Sequence, residues 1–290
     1  MHSERVLLMV NIVVQKHGEI PEERVRNILS VIQECYERLR PHQVEILDLL
    51  LFSVPSNMNA FYSRERSDLH VVSEDLGESF IATHDAWRGT SRIGVCMSRM
   101  RKLPPLVQIG SLRHEVGHSV LHGSMEYYVF PIYATLMEAA KPVGLSKEYS
   151  FNLVYLISIA VKDFEVTRLL SGKGYVDDQL AYSNHVLRTS SDDLDAWQFS
   201  KGNPAGKALC LAGRLKDAAC LIALQPSLGE QSTADRIRDN LSYLPHPILD
   251  EMLKTLKRFP QAMRGDTFQN VAAMTSIFVE DILQPLFVQS

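Results

Sequence analysis

The chain has 290 residues, 46% apolar and 22% charged, with a formal net charge of -4 and an isoelectric point near 6.2. That length supports one large domain or two smaller ones, each with a core, and the weak negative charge excludes the basic footprint of a nucleic-acid binder. The four cysteines, Cys35, Cys96, Cys210 and Cys220, form no Cys-x-x-Cys pair and read as reduced, mostly buried thiols of a cytoplasmic protein.

No basic region followed by an apolar core and a cleavage site opens the sequence, so export is not expected. Residues 5–55 read as a small α/β unit. Residues 6–14 form an apolar, Val-rich run suited to a strand. Pro21-Glu22-Glu23 opens a helix whose Val25, Ile28, Leu29, Ile32, Cys35 and Tyr36 make one stripe to about Leu39, where Pro41 follows. Residues 44–52 read as a second strand, and the strand-helix-strand order implies a parallel pair with a right-handed crossover. The first strand is followed by no Gly-rich phosphate loop, so the unit reads as a framework and not as a nucleotide site.

Residues 55–78 read as an irregular polar loop or flap. Phe80 to Thr83 and Arg92-Ile93-Gly94-Val95-Cys96-Met97 read as two strands joined through Arg88-Gly89-Thr90, a hairpin. The second of them, Arg92 through Met97, is the candidate edge strand on which an extended peptide would pair by main-chain hydrogen bonds. His84 and Asp85 fall at the tip of this region, where a histidine is ordinarily solvated.

Next comes His114-Glu115-Val116-Gly117-His118. Leu106, Ile109, Leu112, Val116, Val120 and Leu121 recur at helical spacing, Pro104-Pro105 suits a helix start and Gly123 its end. Residues four apart share a helix face. His114 and His118 can therefore offer two imidazole nitrogens to one tetrahedral metal, zinc by preference. Glu115 stands beside the pair as a general base for water. His122 shares the face, but three histidines over two turns span about 12 Å along the axis, too far for one ion; His122 reads as a packing or orienting residue. A metzincin would require histidine at position 124, which is Ser124.

A helix beginning near Ser146-Lys147 carries Asp163-Phe164-Glu165-Val166-Thr167-Arg168 and ends at Gly172 and Gly174. At about 100° per residue, Asp163 falls with Leu156, Ile159, Ala160, Val166, Thr167 and Leu170 on the apolar stripe. Glu165 falls toward Ser158, Lys162 and Arg168, where water and cations suffice. A carboxylate on a core face needs a strong partner, and a metal is one. Asp163 is therefore the candidate third ligand, with Glu165 the alternative.

The run Leu112-Arg113-His114-Glu115-Val116-Gly117-His118-Ser119-Val120-Leu121-His122, preceded by a strand and a short link, resembles the small zincin peptidase domains of the minigluzincin type. It is nearest to the ImmA/IrrE kind and more loosely like the HtpX-like proteins. The resemblance covers roughly residues 80–170. It implies a gluzincin-like core in which the His-Glu-x-x-His helix gives two zinc ligands and the base. A later helix then gives an acidic third ligand, followed after three residues by Asp or Asn and commonly by Arg. Asp163, Thr167 and Arg168 occupy those places, with Asp where Glu is usual and Thr where Asp or Asn is usual.

Tyr127, Tyr128 and Tyr155 are candidates to stabilise an oxyanion, although aromatics at such spacing are more often core. A short apolar helix is expected over residues 131–140. Beyond residue 175 the sequence reads as helical, with helix starts at Asp177-Asp178 and Ser190 to Asp193 and further helices over residues 207–224, 234–243, 248–259 and 266–287. His185 and His246 are isolated and read as structural. The run 153–161 is far shorter than the ~20 residues of a membrane span, and Glu280 and Asp281 interrupt the last apolar run, so no membrane role is expected.

The fold class expected is α+β: a small mixed sheet packed on the zincin-like helix in residues 1–174, then a helical subdomain in 175–290. The function expected is a zinc metallopeptidase acting on peptide or protein substrates. The alternative is a non-hydrolytic metal-binding or regulatory protein on a peptidase-like framework, which the two departures and the large helical part favour.

Overall fold

Val13 and Val14 sit in a segment of alternating exposure, Asn11–His17, which forms strand β1. The structure, a computed structural model, describes residues 9–68 and 81–288. Helix α1 (Glu22–Leu39) follows, with Glu22 and Glu23 in its first turn favouring the positive end of the helix dipole. Strand β2 (Ile46–Phe52) pairs in parallel with β1, so the expected crossover unit is present. The first strand starts at Asn11 and runs to His17, three residues beyond the apolar run: it is held by pairing with β2, not by burial on both faces.

Residues expected to be an irregular flap instead form helix α2 (Pro55–Asp68). Its polar composition hid it: among its described side chains Met58 and Tyr62 enter the core around Leu50, Phe52 and Cys96, and Phe61 packs against it. The rest of the expected flap lies outside the described residues. Strands β3 (Ala82–Asp85) and β4 (Ser91–Cys96) make the expected antiparallel hairpin. β4 also pairs in parallel with β2, so the sheet order is β1-β2-β4-β3. This corrects the peptide-binding expectation for Arg92, Ile93, Gly94, Val95 and Cys96: they lie in an interior strand whose main chain is paired on both sides, and Met97 opens helix α3 (Met97–Met100). Among the described residues the edges are β1 and β3.

Helix α4 (Pro105–Leu121) carries the His-Glu-x-x-His run and packs against α1, β3 and β4. Buried Ser119 Oγ stands 2.7 Å from the Tyr36 hydroxyl of α1, and Arg113 reaches Glu34 at 3.0 Å. A 3-10 turn, Met125–Tyr128, follows.

The chain divides into two compact units, Met1–Tyr128 and Val129–Ser290. The second is helical: α5 (Ala134–Ala140), α6 (Lys147–Gly172), α7 (Asp177–Leu187), α8 (Ser191–Phe199), α9 (Pro204–Ala223), α10 (Gln225–Leu228), α11 (Glu230–Asn240), α12 (His246–Ala262), α13 (Thr267–Phe278), a π turn (Val279–Leu283) and α14 (Gln284–Val288). Helix α6, expected with the metal helix in one domain, belongs to this second unit because its main partner is α9. Leu153, Ile157, Val161 and Phe164 share one core with Leu211, Leu215 and Ile222. Capping is as the polar residues promised: Ser190 and Asp193 make a capping box on α8, and Asp266 and Gln269 make one on α13.

The stretch Thr267–Val288 is long and apolar enough to cross a membrane by length and composition. In this fold α13 and the π turn contribute core residues, and α14 has none that is fully buried. Val271, Met274 and Phe278 are fully buried, and buried Asp281 accepts a 2.6 Å hydrogen bond from Arg258.

Candidate metal centre

Four histidines of the first unit converge around the C-terminal half of α4. His114 Nε2 and His118 Nε2 are 3.2 Å apart, with their rings nearly perpendicular. Two nitrogens bound to one tetrahedral zinc at about 2.0–2.1 Å would be separated by about 3.3 Å. The pair thus has the spacing a shared divalent ion requires, and the donor chemistry suits zinc. Both nitrogens reach this spacing because residues i and i+4 lie one above the other on a helix. The helix is held in place by its buried faces on α1 and the sheet.

His118 is also held from its other side. Its Nδ1 lies 3.2 Å from His122 Nδ1. His122 is fully buried and meets the edge of the Tyr127 ring at 5.2 Å. The reading of His122 as an orienting residue and not a third ligand on the same ion agrees with this geometry. Gly123, just past the helix, has no room for a side chain: a Cβ there would lie 2.3 Å from the Ser119 carbonyl oxygen.

Glu115 is buried on the same helix. Its charge, with those of Asp85 and Glu65, adds to the burial that raises the Tyr62 phenol well above its ordinary range.

Sequence reasoning missed His84. It is not a solvated tip residue but part of β3, half-buried, with its ring parallel to that of His118 at a centroid distance of 6.0 Å. Its Nδ1 stands 2.8 Å from the Tyr128 hydroxyl and its Nε2 3.3 Å from Ser91 Oγ. The available signal was strand alternation, which puts Ala82 and His84 on one face of the sheet and Thr83 and Asp85 on the other. Asp85 is buried and accepts from Arg92 Nε at 2.8 Å, while the Arg92 guanidinium makes two bonds of 2.7 and 2.9 Å to Glu65. Arg92 is therefore a structural cation under the sheet. Burial outweighs these partners at Asp85 and raises its carboxyl.

In the second unit the two candidate acids of α6 part company. Glu165, expected to face water between Lys162 and Arg168, is buried. It accepts from Thr267 Oγ1 at 2.8 Å and from Asn270 Nδ2 at 2.6 Å. The face beside it was misjudged because α13 packs there: Ser158 and Lys162 are buried too. Burial lowers the Lys162 ammonium to about 8 against the pull of Asp163 and Glu165. Asp163 is half-buried, and its charge reaches Lys216 and Cys220 of α9. The ligand atoms of Asp163 and Cys220 lie within 4.8 Å of one another.

Of the tyrosines, Tyr128 touches His84, Tyr127 touches His122, and Tyr155 is exposed on α6. A separate open cleft of about 740 Å³ lies past the ends of β1 and β2, lined by His17, Asn57, Phe61, Glu65 and Arg88. None of the four clustered histidines lines it.

No protein family, curated protein or solved structure matches the chain.

Proposed function

We propose that the chain is a zinc-dependent peptidase of the minigluzincin type, acting in the cytoplasm on peptide or protein substrates. The observation that carries this reading is the 3.2 Å approach of His114 Nε2 and His118 Nε2 with a buried glutamate between them in sequence. His114 and His118 would hold the metal, and Asp163 is the third ligand proposed. The hydrogen bonds that Glu165 makes to Thr267 and Asn270 support Asp163 over Glu165, since they already satisfy that carboxylate. A bound zinc supplies Lewis-acid polarisation and favours ionisation of water near neutral pH.

The protein's own part is positional and acid–base. Glu115 takes a proton from the attacking water and returns it to the leaving amine. His122 keeps the His118 ring in place and sets its tautomer. For His118 Nε2 to offer a lone pair, its Nδ1 carries the proton and donates to His122 Nδ1. The strand proposed to receive an extended peptide is β3, one of the two edges among the described residues and the one whose His84 lies beside His118, in place of β4.

The test is metal analysis of the purified protein together with cleavage of unfolded protein and peptide libraries. About one zinc per chain, lost in His114→Ala and Asp163→Ala, with cleavage abolished by Glu115→Gln, is the expected result. Metal without cleavage, unchanged by Glu115→Gln, would favour the non-hydrolytic alternative. The closeness of a cysteine sulfur to Asp163 is the observation on that side.

A further inference from the structure

We infer that Cys220 is a further ligand for the metal that Asp163 takes, so that the donor set includes sulfur. The inference rests on the reading of Asp163 as a ligand and goes beyond it, since nothing in the resemblance to zincins calls for a cysteine here.

Asp163 on α6 and Cys220 on α9 face each other across the most extensive helix pair of the second unit. Their ligand atoms are within 4.8 Å. An oxygen and a sulfur on one tetrahedral zinc stand about 3.5 Å apart.

The surroundings are unlike those of an inert core thiol. Cys220 is fully buried, yet one helical turn along α6 from Asp163 lies Thr167, also fully buried, whose Oγ1 finds no oxygen or nitrogen to bond. That hydroxyl stands beside the Cys220 sulfur, which is at best a weak acceptor. A buried hydroxyl without a partner costs roughly 1–3 kcal/mol, and buried polar groups in folded proteins are nearly all satisfied. An acid, a thiol and an unsatisfied hydroxyl facing one another in an apolar helix interface are a poor core and a suitable set of donors for a cation.

The consequence is chemical selectivity. Sulfur beside a carboxylate favours zinc and other borderline or soft metals over magnesium and calcium.

The experiment uses the full chain loaded with zinc, and separately with cobalt(II). X-ray absorption of the zinc protein should show a sulfur shell near 2.3 Å, and the cobalt protein a thiolate charge-transfer band. Both should disappear in Cys220→Ser and persist in Cys210→Ser. A site with nitrogen and oxygen donors alone, its cobalt spectrum unchanged in Cys220→Ser but its metal lost in His118→Ala and Asp163→Ala, would overturn this inference and leave the peptidase reading standing. Failure of the full chain to bind either metal, or undiminished binding in His118→Ala, would overturn both. The absorption measurement needs no variant, so it decides the sulfur question even if Cys220→Ser folds poorly.

Discussion

His122 Nδ1 stands 3.2 Å from His118 Nδ1, on the opposite side of the ring from the nitrogen that faces His114. One histidine thus restrains the ring of the next. Replacing a partner of this kind typically costs about 10–100-fold in metal affinity. His122→Phe, which keeps a ring against Tyr127, should therefore weaken zinc binding by that order while leaving the fold intact. Competition with a chelator checks it, and an unchanged affinity would remove His122 from the site.

Glu115 is buried beside the imidazoles and is assigned the proton transfers. Glu115→Gln should lower turnover by about 10²–10⁴-fold, with zinc content and melting temperature close to those of the parent. Loss of zinc in this variant would mean that Glu115 acts on the metal and not on the proton.

Glu165 is tied to Thr267 and Asn270 and so joins α6 to α13. Glu165→Ala leaves both donors unsatisfied and should cost about 3 kcal/mol of stability. Denaturant unfolding would read that loss, and metal analysis would show zinc retained. A stable variant depleted of zinc would reverse the assignment between Glu165 and Asp163.

Gly94 leaves room for the Tyr62 hydroxyl. A Cβ at position 94 would lie 2.5 Å from that oxygen, which is itself buried without a hydrogen-bond partner. Gly94→Ala should therefore destabilise by about 1–3 kcal/mol. Tyr62→Phe removes the clashing atom and leaves the next ring carbon 3.5 Å away, an ordinary contact. The double variant should recover most of the loss in thermal melts; additive losses would refute the clash.

His17 stacks on Phe52 at 4.7 Å, and burial holds its pKa below the usual 6.5. The unfolded chain then binds the proton more readily than the folded one, so stability rises with pH through the window below about 6.5 and falls on acidification through it. His17→Phe should lose less stability between pH 7 and pH 5 than the parent does. Parallel melting curves at the two pH values test the sign.

Local pattern determined much of this protein. The spacing of His114 and His118, the helix that carries them, the parallel β1–β2 pair, the β3–β4 hairpin and the capped helices of the second half were all legible, because periodicity, proline and capping residues act over a few positions. What stayed hidden depends on partners far along the chain. β4 is interior and not an edge because β2 and β3 both pair with it. Glu165 is buried because α13, more than a hundred residues later, covers a face that helical periodicity alone marked as polar. His84 meets His118 only because the hairpin folds beside α4, and Cys220 meets Asp163 only because α9 packs on α6. A sequence states which side chains share a face; tertiary packing decides what that face meets.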